Sequence, residues 1–422
     1  MFSKSYPASP LLLVDAGDWT GDPTPQGGLQ TDGLIEGMNA LGYKVSNLSL
    51  RELAQGYDLF QARRKKAQFE FVSANLVWQD TGEPVVSPTT IVKTSLRDGA
   101  RSKDVRIGFI GLTRHDPAFL KEVPGGRRIV TIDPLAAAEK WVPILKPKAD
   151  VIVALVSMDL DKARQVPKKA RDIDLILGGD GAPGRTAMQT RTDDFPEDTQ
   201  MGRTRLMYAG DQGKFLGEVR LFFDGDRKIA STQRSVVGLS REWPDEEKLA
   251  ALMESVKVAI NEYNKAQTMA QSPFAAPAPA GAPAIPPAGA PAAEPTYVGS
   301  ERCAGCHDQA FAVWAKSRHA RAFQTLVANQ QDFNPKCIGC HAIGYQKRSG
   351  YVDPKATPTL INVGCESCHG PGSRHLDQPE KGFGRTDTAF CVSCHTRENS
   401  PDFVPADYIP KVRHWDDQHT RR

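Results

Sequence analysis

The 422-residue sequence predicts a layered α/β domain joined to a small domain of helices and loops. Three observations support this division. Short apolar runs ending in Gly, Asp or Ser alternate with helical patterns over residues 1–265, as in α/β folds. Residues 266–295 are rich in Ala and Pro and nearly uncharged, which predicts a semi-extended linker. All eight cysteines lie in the remaining region, residues 296–422.

The first region contains five apolar runs that predict buried strands with loops at their carboxyl ends: 11–18, 69–78, 105–113, 149–157 and 173–180. Helical spacing is found at 29–43 and 133–146. Asp-Gly turns within 204–231 predict a hairpin. The amphipathic stretch 245–266 predicts a closing helix.

Several of these stretches carry a resemblance to a known family. "DAGD", "MNALGY", "FVSANL", "VRIGFIGLT", "ADVIVALVSMDLD", "IDLILGGD" and "GKFLGEVRLFFD" occur in the order seen in calcineurin-like metallophosphoesterases of the 5′-nucleotidase type. The resemblance covers most of residues 10–265. It implies two metal ions held by Asp and His at the carboxyl ends of the strands, and a catalytic His beside an Asn ligand.

Carried over residue by residue, most of that site is missing. Asp18 matches the bridging aspartate, although an aspartate at this place more often simply caps a strand or forms the turn after it. The family's Asn-His-Glu reads Leu50-Arg51-Glu52, its Ser-His reads Val156-Ser157, and its second His-containing loop reads Gly178-Gly179-Asp180-Gly181-Ala182. The Asp-x-His pair of the first strand would precede Met1, and His115 matches no motif position. Because a two-metal hydrolase needs a full ligand set, we expect a catalytically silent domain.

The second region is organised by a repeated motif. All eight cysteines fall in four copies of C-x-x-C-H: Cys303, Cys306 and His307; Cys337, Cys340 and His341; Cys365, Cys368 and His369; Cys391, Cys394 and His395. This is the signature of covalent haem attachment, in which two thiols bond the porphyrin and the His ligates iron. Cys₄ zinc sites and disulfides are the alternatives, but neither explains a His after every pair. The sequence therefore predicts four covalently bound haem c groups.

The second axial ligands are sought among the other histidines, because all eight methionines precede residue 296. Candidates are His319, His375 and His414, with His419 expected to be free and His115 an outside candidate. His319 follows His307 by twelve residues on a predicted helix, about 18 Å away, so we expect it to ligate a different haem. Bis-His ligation indicates low potentials.

The order "YVGSERCAGCH…SRHA", "CIGCHAIGY", "GCESCHGPGSRH", "CVSCHTRENSPDF" and "KVRHW" resembles the tetrahaem cytochrome family that includes the carrier for hydroxylamine oxidation in nitrifying bacteria. The resemblance implies electron transfer through haems in stacked pairs, with His375 as a distal ligand. It also implies that the haem at His341 can lack a distal ligand. Tyr345 and Tyr351 would then line a pocket or contact propionates.

Four haems in 127 residues must lie close together, which favours an electron carrier with the first domain as a docking or assembly scaffold. Two alternatives stay open. One is a multihaem reductase acting on a small molecule at the second haem. The other is an active metallophosphatase or 5′-nucleotidase fused to a cytochrome.

Charge and composition narrow the partners and compartment. The net charge of +3 is too small to indicate nucleic acid binding, and no run of about 20 apolar residues predicts a membrane span. The first 19 residues lack the pattern of a secretory leader, whereas haem is attached outside the cytoplasm. We therefore expect a removed or upstream leader and a periplasmic or cell-surface protein that serves extracellular electron transfer. Its partners would be redox proteins, and a homo-oligomer or filament is possible by sharing distal histidines.

Overall fold

A computed structural model describes residues 9–98, 101–180, 199–209, 213, 215–239, 243–271, 294–379, 383–384, 388–396, 399–400 and 402–414. The chain forms two compact units, Met1–Met253 and Glu254–Arg422. The division falls inside the helix Glu247–Gln271, earlier than the boundaries predicted at 265 and 295. Within the second unit, Asn261 of this helix donates to Asp332 at 2.9 Å. The second half of the helix thus packs as part of the C-terminal unit.

The described strands of the first unit are β1 Val14–Asp15, β2 Val45–Asn47, β3 Glu70–Val72, β4 Leu76–Trp78, β5 Thr89–Asp98, β6 Arg101–Thr113, β7 Leu120–Glu122, β8 Arg128–Thr131, β9 Val151–Met158, β10 Leu175–Asp180, β11 Thr199–Met201, β12 Thr204–Tyr208, β13 Phe215–Phe223 and β14 Ile229–Gly238. The unit is built on a six-stranded sheet of order β11-β12-β10-β9-β6-β5, in which β6, β9, β10 and β12 run parallel. A parallel sheet β1-β2-β3, an antiparallel sheet β4-β8-β7 and a hairpin β13-β14 complete it.

The α-helices of this unit are Pro25–Leu41, Tyr57–Lys66, Pro134–Leu145, Leu160–Ala163 and Val166–Lys169, and Glu247–Gln271 begins in it. Both helices predicted from spacing are confirmed. The first begins earlier than predicted because Thr24 caps it, accepting from the Gly27 amide at 3.0 Å. It ends at Gly42, whose φ of +78° is a left-handed conformation suited to glycine.

The central strand β9 is buried along its whole length, as expected of a parallel strand covered on both faces. One face packs Ile152 and Ala154 against the helix Pro134–Leu145. The predicted hairpin at 204–231 is partly corrected. Its first segment is strand β12, which pairs in parallel with β10 because Leu206 and Met207 are buried there, and the hairpin itself is formed by β13 and β14.

The C-terminal unit consists of short helices and loops, as predicted. After Glu247–Gln271 its α-helices are Asp308–Lys316, Ala322–Ala328, Pro335–His341, Cys365–His369, Ser373–Asp377 and Pro405–Tyr408. The helix expected to carry His319 ends at Lys316, because the backbone turns extended at Ser317, and His319 opens a 3₁₀ turn. The small core gathers Phe323, Ile338, Ile343 and Leu360. In the described part of the chain, no helix is long and apolar enough to cross a membrane.

Candidate haem-binding sites and a remnant metal site

The four C-x-x-C-H motifs lie in tight turns or short helices. The second and third motifs occupy the helices Pro335–His341 and Cys365–His369. In the first and fourth, the amides of His307 and His395 donate to the carbonyls of Cys303 and Cys391 at 2.9 Å. Each turn brings two thiols and an imidazole within one helical turn of backbone, and all eight thiols are free of disulfides.

Several of the predicted ligands have one ring nitrogen already engaged. The Nδ1 contacts join His341 to the Ala322 carbonyl at 2.7 Å, His369 to the Gly384 carbonyl, His395 to the Ser400 hydroxyl at 3.1 Å and His414 to the Val412 carbonyl at 2.9 Å. A carbonyl can only accept, so it keeps the hydrogen on Nδ1. This leaves the Nε2 lone pair of the ring available to a metal.

The predicted proximal and distal histidines meet in pairs. The ring centroids of His307 and His375 are 6.2 Å apart, those of His395 and His319 are 6.1 Å apart, and those of His369 and His414 are 5.8 Å apart. Two imidazoles on opposite sides of one metal, each at about 2 Å from it, have centroids about 6 Å apart. These three pairs therefore fit bis-His ligation of a haem iron. Spacing along the chain did not identify the partner of any distal His.

Aromatic side chains stack on two of these ligands. The ring of Phe383 lies 4.4 Å from that of His375, and the ring of Phe403 lies 4.3 Å from that of His395. Both pairs are nearly parallel, with interplanar angles of 9° and 14°. Such packing fixes the orientation of an imidazole before any metal is bound. Sequence reasoning did not single out either phenylalanine.

His341 differs from the other proximal histidines. The three histidine pairs among the described residues do not include His341. His319 is nevertheless near it, because His341 contributes, after burial and His395, to lowering the pKa of His319; His419 lies outside the described residues. The adjoining core holds Phe323 and Tyr351, whose rings are 5.5 Å apart, with Tyr345 beside Tyr351. The Tyr351 hydroxyl is buried without a hydrogen-bond partner in the structure, and burial raises its pKa.

Thiols of different motifs contact one another. The Cys365 thiol of the third motif, followed by burial, raises the pKa of Cys303 in the first, and burial, followed by the Cys394 thiol of the fourth motif, raises the pKa of Cys340 in the second to about 11. Burial, followed by the nearby thiols of the fourth motif, raises the pKa of Cys368 to about 11. The four attachment sites therefore form one continuous cluster.

A buried carboxylate connects the first and third motifs. Glu366, 4% exposed, accepts hydrogen bonds from the amides of Val298, Gly299 and Gly372 at 2.7–3.0 Å. Three backbone donors satisfy both of its oxygens. Glu366 thereby ties the segment that precedes the first motif to the loop that follows His369.

In the N-terminal unit, the carboxyl ends of β1, β2, β6 and β9 converge on Asp18. Its carboxylate accepts from the hydroxyls of Ser49 and Ser157 and pairs with Arg114 at 3.1 Å. Asp18 adopts a left-handed conformation with φ of +64°, which Asp tolerates better than most residues. His115 lies apart from this cluster, with Nδ1 3.0 Å from the Thr131 hydroxyl.

Two further carboxyls lie beside Asp18. Burial raises the pKa of Asp15 to about 7, against a lowering hydrogen bond from the Gly17 amide. Burial and the nearby Asp18 carboxylate also raise the pKa of Glu52. Glu52 accepts from the amides of Trp19 at 3.0 Å and Ser49 at 2.9 Å. Both carboxyls are thus shifted toward their neutral forms.

This arrangement does not fit a two-metal centre. An arginine guanidinium contacts Asp18, and Ser157 stands where the family's Ser-His motif has its imidazole ligand. Within the described ranges, no group of three or more His, Cys, Asp or Glu side chains is arranged to hold a metal ion. Asp180 ends β10, and Gly181 and Ala182 lie outside the described residues.

Comparison with known proteins matches each unit to a different group. Residues 302–370 match the family model "Cytochrome c554 and c-prime". Cytochrome c-554 of Nitrosomonas europaea is 33% identical over 91 residues, which cover 18% of this chain and 39% of that protein. The 2′,3′-cyclic-nucleotide 2′-phosphodiesterase/3′-nucleotidase of Yersinia enterocolitica is 27% identical over 246 residues, covering 52% of this chain and 37% of that protein. The chain thus spans well under half of either relative.

Among solved structures, the calcineurin-like phosphoesterase YfkN from Bacillus subtilis superposes with a TM-score of 0.49 at 22% identity, over 62% of this chain and 87% of that one. Human 5′-nucleotidase is 24% identical over 270 residues, or 60% of this chain and 45% of that protein. The chain thus joins an N-terminal unit similar to calcineurin-like, 5′-nucleotidase-type phosphoesterases to a C-terminal unit in which residues 302–370 match the cytochrome c554 family model.

Proposed function

We propose that this protein carries electrons outside the cytoplasm through four covalently bound haem c groups, three with bis-His ligation. The observation that carries the proposal is the set of three histidine pairs at 5.8–6.2 Å. Haem c supplies reversible one-electron chemistry, and two imidazoles per iron keep that iron in one coordination state during transfer. The chain's own contribution is to fix the ligands and hold the sites close together.

The contacts between thiols suggest the order in which electrons pass. The first motif contacts the third through Cys303 and Cys365, and the second contacts the fourth through Cys340 and Cys394. The thiols of Cys391 and Cys394 in the fourth motif lie near enough to Cys368 of the third to raise its pKa further. The order is therefore first, third, fourth, second, with the first and second sites at the ends as entry and exit points for redox partner proteins.

A second candidate function is reduction of a small molecule at the site of His341. It is favoured by one observation, namely that no described histidine opposes His341 as His375, His414 and His319 oppose the other three. An iron held by a single imidazole has a free position for a ligand. We rank this below electron carrying because the described core around this site is apolar and aromatic.

We assign the N-terminal unit a non-catalytic role in docking or assembly, since Asp18 is engaged by Arg114, Ser49 and Ser157. An extracytoplasmic location follows from covalent haem attachment, which requires the chain to be exported. A steady-state assay of nucleotide hydrolysis with added Mn²⁺ or Zn²⁺ tests the non-catalytic role. Hydrolysis faster than in a protein-free control would exclude that role.

The haem count is tested by intact-mass measurement of the holoprotein purified from a host that matures c-type cytochromes. The proposal predicts a mass increase of four haem groups over the polypeptide. A matched variant with Cys391→Ala and Cys394→Ala should lose one group. A wild-type increase of three or fewer would contradict the proposal.

A further inference from the structure

We propose that the Arg114 guanidinium is a built-in cation that replaces the metal centre of the phosphoesterase fold, so that the N-terminal unit folds around Asp18 without any metal. This inference rests on the proposed non-catalytic role of that unit, and it explains why the unit would lack metal-dependent activity. It concerns a residue that no phosphoesterase motif in the sequence includes.

Arg114 lies at a strand end close to Asp18. Asp18 follows β1, Ser49 follows β2, Arg114 directly follows β6, and Ser157 lies near the end of β9. The carboxyl ends of neighbouring parallel strands form the edge at which α/β folds gather their functional groups. The Arg114 guanidinium therefore reaches the same edge at which a phosphoesterase would hold its metal ions.

Arg114 also supplies charge. The Ser49 hydroxyl contacts Asp18 Oδ1 and lies 2.7 Å from Glu52 Oε2, so it stands between two carboxyl groups. Glu52 is 4% exposed and accepts from backbone amides, whereas Asp18 is the carboxyl that the Arg114 guanidinium reaches. Arg114 therefore places one positive charge against Asp18, where a phosphoesterase would place its metal ions.

Hydrogen-bond donors contact both carboxylate oxygens of Asp18. Asp18 Oδ2 accepts from Arg114 at 3.1 Å and from the Ser157 hydroxyl, while Oδ1 accepts from Ser49. Both oxygens that would bridge two metals are therefore occupied by hydrogen-bond donors. A metal could bind only by displacing the guanidinium. The Arg114 side chain is 34% exposed and that of Asp18 is 20% exposed, so solvent reaches the pair from one side.

The test measures Mn²⁺ binding and thermal unfolding on the full-length holoprotein. Arg114→Ala removes the cation and leaves the acidic side chains. Arg106→Ala is the matched control, because Arg106 pairs with Asp150 at 3.0 Å in the same unit with a similar exposure of 39%. Arg114→Lys keeps the charge, and it provides a variant that folds if Arg114→Ala does not.

We expect wild type, Arg106→Ala and Arg114→Lys to bind no Mn²⁺ and to melt at the same temperature with EDTA or with Mn²⁺. Arg114→Ala should melt at least about 4 °C below wild type in EDTA and recover half or more of that loss in millimolar Mn²⁺. The inference is overturned if wild type binds Mn²⁺ stoichiometrically, or if Arg114→Ala responds to Mn²⁺ no more than Arg106→Ala does. It is also overturned if Arg114→Ala does not fold and Arg114→Lys melts no higher than Arg106→Ala.

These outcomes are separate from failure of the proposed function. Nucleotide hydrolysis by the wild type would end the non-catalytic role. Absence of hydrolysis, together with an Arg114→Ala variant that is as stable as wild type, would leave that role intact and remove only the inference about Arg114.

Discussion

The imidazole of His319 lies 6.1 Å from that of His395, although His319 follows His307 closely in the chain. The segment that carries the first C-x-x-C-H motif thus places a second imidazole opposite the histidine of the fourth. Its helix, Asp308–Lys316, is held by Trp314, whose indole donates to the Val363 carbonyl at 2.8 Å. One segment therefore joins the first motif to the proposed second ligand of the fourth.

Replacing His319 tests this cross-ligation. We expect His319→Ala to convert the haem at His395 from low-spin to high-spin, because that iron would lose its second imidazole. The haem at His307 should stay low-spin. Quantified spin states in the oxidised protein should change by one haem per chain. His375→Ala is the matched variant and should affect the haem at His307 instead; equal effects of both variants on the same haem would contradict the pairing.

Glu366→Gln should destabilise the C-terminal unit. The substitution replaces one accepting oxygen by an NH₂ group, which can only donate and therefore cannot bind the backbone N–H groups that face it. Hydrogen bonds to charged groups contribute about 1.5–3 kcal/mol each, so we expect a loss of about 2–4 kcal/mol in the free energy of unfolding. Denaturant unfolding of the holoprotein followed at the haem absorption measures it. The exposed Glu301→Gln is the control and should change stability by less than about 0.5 kcal/mol.

Ser400→Ala should raise the reduction potential of one haem. The Ser400 hydroxyl contacts His395 Nδ1 at 3.1 Å, and such contacts make a ligating imidazole more basic. Losing a hydrogen bond of about 1 kcal/mol corresponds to a shift on the order of 40 mV for one electron. A spectroelectrochemical titration compares this variant with Ser393→Ala, whose hydroxyl donates to the Phe390 carbonyl instead. Equal shifts of the reduction potential in the two variants would contradict a specific role of the Ser400 hydroxyl.

Asp15 should make the N-terminal unit less stable as pH rises. Its pKa is raised from 3.8 to about 7 in the folded chain, so the folded state holds a proton that the unfolded state releases. The stabilisation is complete below about pH 4 and is lost as pH passes through 7, by at most about 4 kcal/mol. Melting temperatures at pH 5 and pH 8 should differ less in Asp15→Asn than in wild type. An unchanged difference would refute this role.

The sequence was sufficient for the features set by local pattern. The apolar runs 105–113, 149–157 and 173–180 form strands as predicted, and helical spacing located the first two long helices. The run 11–18 forms only the half-buried two-residue strand β1, and the run 69–78 divides into β3 and β4, which belong to different sheets. The hairpin was misplaced because Leu206 and Met207 are apolar in either arrangement, and only pairing with β10 decides between them.

The sites needed information that sequence spacing does not contain. Pairing of His319 with His395, or of His369 with His414, depends on how loops fold around the haem sites. Arg114 carried no signal, since an arginine after a strand usually faces solvent. Its proximity to Asp18 results from two strands, β1 and β6, that are distant in sequence.

The most direct test of the account is an electron paramagnetic resonance spectrum of the air-oxidised holoprotein, quantified against its haem content. The three histidine pairs and the unopposed His341 predict low-spin ferric signals from three haems and a high-spin signal from one haem per chain. A spectrum with four low-spin haems would mean that another ligand opposes His341. High-spin iron amounting to two or more haems would contradict the bis-His pairs on which the account rests.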